Sequence, residues 1–400
     1  MILPAIDLGS PALLEALRTR TLDDIVKTFA LAGEVALRDT TGDCSAMVAE
    51  LVKAHPGVFR VEGVKDAESA LTLLNAGAAK VIVPASALKS DAGFATLGLP
   101  KERVWAEILA LPGSDLGVLA EPLRELAGGF HFFYAHDIPQ VDELAAFAKT
   151  LPPHHVSASG VINRGSDVAA IDMAGVAARS GTPLLTSMMP LADAIAASLK
   201  SDRGDGLWPT VIVDEQGVAL GLAYSNIESL RAAVNGRCGA YHSRSRNNLW
   251  IKGATSGAKQ ELLGIALDCD RDALRFTVRQ VEPGFCHENT WSCWGPVGGL
   301  PALARLLASR AKDAPAGSYT RRLLTDPELL ASKLREEAGE LIEASAQNDR
   351  DEVVWEAADV IYFTLVHLAK HGIALSEVER HLDARHLKVT RRKGDAKPAK

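Results

Sequence analysis

Three of the five cysteines and three alternating aspartates fall within one short stretch, residues 267–295, LDCDRDALRFTVRQVEPGFCHENTWSCWG. Cys269, Cys286 and Cys293 are soft ligands of the kind that hold zinc. Asp268, Asp270 and Asp272 offer the clustered oxygens that suit a hard cation such as magnesium. In an extended backbone, alternate residues face opposite sides, so the three carboxylates would share one face and Cys269 would lie on the other. That geometry predicts two separate metal sites. An EF-hand does not fit, because its sixth position would be Ala273 instead of glycine and its twelfth Arg279 instead of glutamate. The cysteines are spaced too irregularly for a zinc finger or ribbon. Three thiolates leave one tetrahedral position open for a water, whose pKa zinc lowers to about 7. His287, beside a ligand, is an acid–base candidate. The bland alternative is a set of buried thiols with no ligand.

Upstream, YHSRSR (241–246) and LWIKGATSG (249–257) bring Arg244, Arg246, Trp250 and Lys252 close to the hydroxyl and backbone donors of Thr255, Ser256 and Gly257. Such a set can cradle phosphate or ribose, although an exposed basic hairpin would look the same. It is not a Walker A loop. Farther on, KLREEAGELIE (333–343) puts Glu336, Glu340 and Glu343 on one helical face, with Glu337 three before Glu340. Glu356 and Asp359 form an i, i+3 pair on the next predicted helix. Two facing helices of this kind make a carboxylate-lined metal site, and a solvated acidic surface is the alternative.

The elements that position these residues follow from periodicity. With 400 residues and 47% apolar content, the chain has room for two or three domains of roughly 100–200 residues each. Over residues 1–200, short apolar strands alternate with amphipathic helices, with strands expected at 2–6, 35–37, 59–61, 80–84, 104–108, 131–134, 155–158 and 183–185. Eight strands permit a (β/α)8-like barrel, and a doubly wound α/β sheet is the other solution. Residues 201–296 read as a small β-rich domain of six strands with one helix at 227–235. Residues 297–386 read as an all-α helical bundle, with Asp326 as N-cap before Pro327 at the first helical position. A basic tail follows at 387–400. The net charge of −7 argues against nucleic acid as the main partner. The first residues lack a secretory pattern, and no apolar run is long enough to span a membrane. Five cysteines, three of them clustered, fit a reducing compartment, so a cytoplasmic location is expected.

Residues 205–295, with YHSRSR, LWIKGATSG, LDCDRDA and GFCHENTWSC, resemble phosphoribosyl-AMP cyclohydrolase of histidine biosynthesis. The resemblance implies zinc on Cys269, Cys286 and Cys293 and magnesium on Asp268, Asp270 and Asp272. It also implies opening of the purine ring between N1 and C6. That family is a homodimer whose zinc site takes thiolates from both chains. Residues 300–386, with SYTRRLL, KLREEAGE and WEAADVIY, resemble phosphoribosyl-ATP pyrophosphatase, an all-α pyrophosphohydrolase with an E-E-x-x-E … E-x-x-D motif. Glu336, Glu337, Glu340, Glu356 and Asp359 supply all five acids and imply a second magnesium site. Glu337 is the candidate for activating water, and Lys333, Arg321 and Arg322 for contacting phosphate. The first 200 residues, through ILPAIDL (2–8), VKDAESA (64–70) and SASGV (157–161), resemble the (β/α)8 isomerase of the same pathway. They depart from it where Glu62-Gly63 and Gly160-Val161 replace phosphate-binding glycine pairs, while Asp7 and Asp137 match its acids. The expectation is a bifunctional hydrolase acting on nucleotides. The alternatives are a metal-stapled, non-catalytic nucleotide-binding scaffold and a trifunctional enzyme with an active N-terminal isomerase.

Overall fold

The computed structural model of the chain describes residues 1–138 and 141–390. They fall into two compact units, Met1–Trp294 together with the residues from Ala384 onward, and Gly295–Asp383. The basic residues of the tail from Arg391 onward lie outside the described residues. Among the described residues no helix is long and apolar enough to cross a membrane.

In the larger unit, eight parallel strands close into a barrel in chain order: β1 (Ile2–Leu8), β2 (Val35–Asp39), β3 (Phe59–Glu62), β4 (Lys80–Pro84), β5 (Val104–Leu109), β6 (Gly129–Phe133), β7 (Val156–Ser159) and β8 (Ala177–Ser180). The helices between them are set by local signals. Asp66, for example, accepts from Ser69 N at 2.7 Å to cap the Ala67–Ala76 helix. Gly77 closes that helix at φ +119°, a conformation that favours glycine. The eighth strand was expected at 183–185. Those residues instead form the short helix Thr182–Leu185, with Pro183 in its first turn. Proline has no N–H for a ladder but suits a helix start, and the strand passes to the weakly patterned AARS segment just before it.

The C-terminal mouth of the barrel is filled by charge. Arg38 donates to Glu62 at 3.0 Å and pairs with Glu107 across the interior. Arg179 donates to both oxygens of Glu62, at 2.8 and 2.9 Å, and pairs with Asp7. The Arg38–Glu107 and Arg179–Glu62 contacts join strands that are not neighbours, so these side chains point inward. Glu62 is fully buried. Burial opposes its charge, but the Arg179 and Arg38 guanidiniums overcome it and hold the carboxyl down to about 2. His131, bonded through both ring nitrogens to Ser157 and Ser159 at 2.9 Å, is driven down to about 3 by burial and is therefore neutral.

A six-stranded sheet follows, in the order β12-β11-β10-β9-β14-β13. Its strands are β9 (Trp208–Val213), β10 (Ala219–Ser225), β11 (Ala240–Ser243), β12 (Asn248–Ile251), β13 (Gln260–Leu267) and β14 (Leu274–Gln280). Only the β9–β14 pairing is parallel. The Ile227–Gly236 helix, capped reciprocally by Asn226 and Ser229, connects β10 to β11. The apolar core runs unbroken from Phe29, Phe59 and Phe130 of the barrel region to Ile212, Leu262 and Phe276 of the sheet.

The smaller unit is helical: Gly299–Lys312, Tyr319–Thr325, Pro327–Gln347, Arg350–Lys370 and Leu375–His386, the last running past Asp383. Asp326 caps the Pro327 helix by accepting from Glu328 N and Leu329 N at 3.1 and 3.0 Å. The short Tyr319–Thr325 helix was not expected, although Ser318, which accepts from Arg321 N at 3.2 Å, is its cap signal. Leu307, Leu323, Leu330, Phe363, Leu365 and Val366 form a separate core.

Candidate active sites

The aspartate segment is not extended. Leu267 pairs with Leu274 in the β13–β14 hairpin, so residues 268–273 form the connecting turn. Arg271 sits there at φ +66°. Strand alternation therefore does not separate the carboxylates from Cys269. The turn itself gathers Asp268, Asp270 and Asp272, each offering an oxygen within 4.8 Å of the others. Asp268 accepts from Asp272 N and Ala273 N at 3.0 and 3.1 Å. Burial works against its charge, yet these donors hold the carboxyl below its ordinary value. Asp272 is pushed up by its contact with Asp268 and by the charge of Asp270. Three close carboxylates with opposed titrations are a donor set that a divalent cation would relieve.

Cys286 and Cys293 lie on the loop after β14. Gly284 lets that loop close on itself, at φ +129°, since a Cβ there would sit 2.4 Å from Thr290 O. Asp214, buried at the end of β9, accepts from Trp291 Nε1 at 2.9 Å and fixes the loop against the sheet. Gly221 on β10 leaves room for it, because a Cβ there would meet the Phe285 ring at 2.3 Å and Cys293 Sγ at 3.4 Å. The backbone N–H of Glu288 and the Thr290 side chain hold the Cys286 thiol down. Burial and the contact with Cys286 push Cys293 up to about 11. One thiolate thus suppresses the other. Cys269 does not join them: among the described residues no cluster of three ligands contains a cysteine. Within one chain the described residues bring two thiols together. His287 is exposed, with Nδ1 3.9 Å from Cys286 Sγ.

The basic candidates divide. Arg244, Arg246 and Trp250 line a cavity of about 590 Å³ with Tyr224 and His242. The Arg244 guanidinium lies 4.0 Å from the Tyr224 ring centre. Lys252 is buried, 5.4 Å from the Phe285 ring centre, and its pKa is lowered chiefly by burial. Thr255, Ser256 and Gly257 occupy an exposed turn after β12.

In the helical unit, Glu337 comes from the Pro327 helix and Glu356 and Asp359 from the Arg350 helix, with one oxygen of each within 4.8 Å of the others. Glu337 and Glu356 are buried, and Glu356 Oε2 has no hydrogen-bond partner among the described residues. Burial, then the contact with Glu337 and the charge of Glu340, push Glu356 up to about 6. Glu340 is raised as well, by burial and by Glu337 and Glu336. Glu336 is half exposed and turns to Lys333 at 2.9 Å, and Lys333 also reaches Glu337 at 2.6 Å. These bonds raise the lysine pKa. Of the three basic candidates, Lys333 alone pairs with these acids among the described residues, while Arg321 and Arg322 are exposed on the Tyr319–Thr325 helix. Sequence reasoning missed Asp214, Gly221 and Arg271. Only Asp214, followed by Glu-Gln-Gly, carried a turn signal.

Two family models match the chain: phosphoribosyl-AMP cyclohydrolase over residues 221–295 and phosphoribosyl-ATP pyrophosphohydrolase over residues 300–386. The histidine biosynthesis trifunctional protein of Komagataella pastoris is 52% identical over 209 residues, 52% of this chain and 24% of that protein. The trifunctional protein of Neurospora crassa is 37% identical over 356 residues, 85% of this chain and 38% of that protein, so its similarity extends into the barrel. This chain spans about a quarter of the length of the yeast trifunctional relatives it matches. The histidine biosynthesis bifunctional protein HisIE of Bacillus subtilis is 36% identical over 197 residues, 46% of this chain and 94% of that protein. With both family models matched in tandem and nearly the whole of that bifunctional protein covered, the chain belongs to the family of histidine biosynthesis bifunctional proteins.

Proposed function

We propose that the chain catalyses two consecutive hydrolyses of histidine biosynthesis. The helical unit removes pyrophosphate from phosphoribosyl-ATP, and the β-rich region, residues 201–296, then opens the adenine ring of phosphoribosyl-AMP between N1 and C6. The observation that carries this reading is the meeting of Glu337, Glu356 and Asp359, partly buried and with Glu356 Oε2 unpartnered among the described residues. Like charges held together out of water require a compensating cation.

Magnesium suits the oxygen-only sets, Glu337, Glu356 and Asp359 with Glu340 and Glu336 beside them, and Asp268, Asp270 and Asp272. Zinc suits the thiols. Bound there, these ions would neutralise phosphate charge and lower the pKa of water. In pyrophosphate release, Glu337 accepts the proton of the attacking water. Lys333 exchanges its carboxylate partners for phosphate oxygens, and Arg321 and Arg322 guide the triphosphate. In ring opening, Arg244, Arg246, Trp250 and Lys252 with Thr255, Ser256 and Gly257 hold the nucleotide. Water adds at C6, the C6–N1 bond breaks, and His287 returns the proton to N1. Cys286 and Cys293 of one chain need Cys269 of a second copy to complete three thiolates, which makes the active form a homodimer. We assign it to the cytoplasm, where thiols stay reduced. We give the barrel no isomerase role, because Asp7 is paired to Arg179 and Glu62 fills the mouth where a phosphate would enter.

The test supplies phosphoribosyl-ATP with zinc and magnesium and follows pyrophosphate and ring opening separately. Cys286→Ser should stop after pyrophosphate release. Glu337→Gln should release little pyrophosphate yet open added phosphoribosyl-AMP. A failure of both steps in the unmutated protein would overturn the reading.

A further inference from the structure

The opposite end of the barrel, where the strands begin, is open. A cavity of about 990 Å³ lies there, lined by Glu34, Arg60, Lys80, Lys149, His155 and the starts of β1, β7 and β8. Its far wall is Ala266–Cys269 and Arg271, from β13 and the aspartate turn. We propose that this cavity binds a small organic phosphate of sugar-phosphate size, with Arg60 and Lys80 holding the phosphoryl group and Lys149 at the rim. Its far wall includes Asp268 and Cys269 of the aspartate turn, but the argument for it does not depend on the reading given to the hydrolytic sites.

The argument rests on Arg60. Its side chain is 9% exposed, and its Nη1 has no hydrogen-bond partner among the described residues. A buried guanidinium nitrogen without an acceptor is costly, and the described residues of the chain supply none. Arg60 and Lys80 share a single carboxylate, Glu34, which leaves one positive charge uncompensated. The Arg60 guanidinium lies 4.5 Å and the Lys80 ammonium 5.6 Å from the centre of the Trp105 ring, which fixes the pair without neutralising it. The Lys80 pKa is lowered, by burial first and then by the charge of Arg60, as expected for cations short of an anion. Arginine is the side chain best matched to phosphate oxygens. The volume falls within the range of small-molecule pockets, roughly 300–1,000 Å³. The other mouth cannot take this role, since its arginines are already paired with Glu62, Asp7 and Glu107.

The test is calorimetric titration of the full chain with ribose 5-phosphate, using ribose as the uncharged control. Binding of the phosphate and not of ribose is expected. Arg60→Gln should weaken it about tenfold, the loss of a charge-assisted hydrogen bond. Lys149→Ala, a change at an exposed position that does not threaten folding, should weaken it about threefold. Both variants should keep pyrophosphate release and ring opening unchanged. The proposal fails if no heat appears at millimolar ligand or if ribose binds as well. It also fails if Lys149→Ala and a folded Arg60→Gln both bind as the parent does, or if Arg244→Ala abolishes the binding instead.

Discussion

Arg271, in the aspartate turn, grips Asp172 of the barrel through two nitrogens, with Nη2 to Oδ1 at 2.8 Å. Asp172 is almost wholly buried, and although burial opposes its charge, the bonds from Arg271 help hold its carboxyl down to about 2. Arg271 lies between Asp270 and Asp272 in the chain, so the pair ties the turn that carries the carboxylate cluster to the barrel floor. Arg271→Ala should lower the stability of the larger unit by about 3 kcal/mol in denaturant titration, because it leaves a buried charge short of its partner. Ring opening should fall about tenfold, the cost of loosening a positioned ligand set, while pyrophosphate release stays level. Unchanged ring opening would mean that the turn holds its shape without the barrel.

Gly221→Ala tests the loop that carries the thiols. The added Cβ would strike the Phe285 ring and press on Cys293. An overpacking cost of about 1–3 kcal/mol is expected, visible as a lower denaturation midpoint. Zinc stoichiometry by metal analysis should drop with it, and pyrophosphate release should not.

Glu356→Gln removes one of the crowded carboxylates in the helical unit. The metal-free protein should melt at a higher temperature, because the amide relieves repulsion from Glu337 and Glu340. Magnesium should then give little of the thermal upshift it gives the parent. A lower melting temperature without metal would show that Glu356 is not a repelling charge there.

The barrel should be sensitive to acid in a defined window. Glu62, held at about 2 against an ordinary 4.5, stabilises fully above pH 4.5 and loses that contribution as the pH falls toward 2. His131, held at about 3 against 6.5, is neutral when folded, while the unfolded chain takes up its proton below 6.5. Stability therefore falls from pH 6.5 down to 3 through this residue, by about 1.4 kcal/mol per pH unit at most. His131→Gln should flatten the slope between those limits in denaturation measured across pH. An unaltered slope would assign the acid response to other groups.

Much of this was legible because apolar runs and caps are local signals. Seven barrel strands and the six strands of the second sheet stand where their hydrophobic patterns put them, give or take end residues. The eighth barrel strand was missed because AARS offers no β-branched or aromatic residue, and its neighbour TPLL looks more strand-like than it is. The aspartates were visible as a ligand set, but their turn depends on the register of Leu267 with Leu274, which is a tertiary fact. Helical spacing brought out six acids and the family resemblance five of them, yet only packing of two helices decides that Glu337, Glu356 and Asp359 meet while Glu336 turns to Lys333. Glu62 read from sequence as an obstacle to phosphate. Its partners, Arg38 and Arg179, are 24 and 117 residues away and could not be read beside it.

The unbroken apolar core between the barrel and the six-stranded sheet has a consequence for anyone who edits this chain. Deleting the first 200 residues would strip that shared interior and expose oily surface to water, so the trimmed protein should precipitate or require a detergent. The helical unit keeps its own interior and should survive as an independent fragment. Scanning calorimetry of the intact protein should accordingly record two heat-absorption peaks, with the barrel and sheet melting together in one of them.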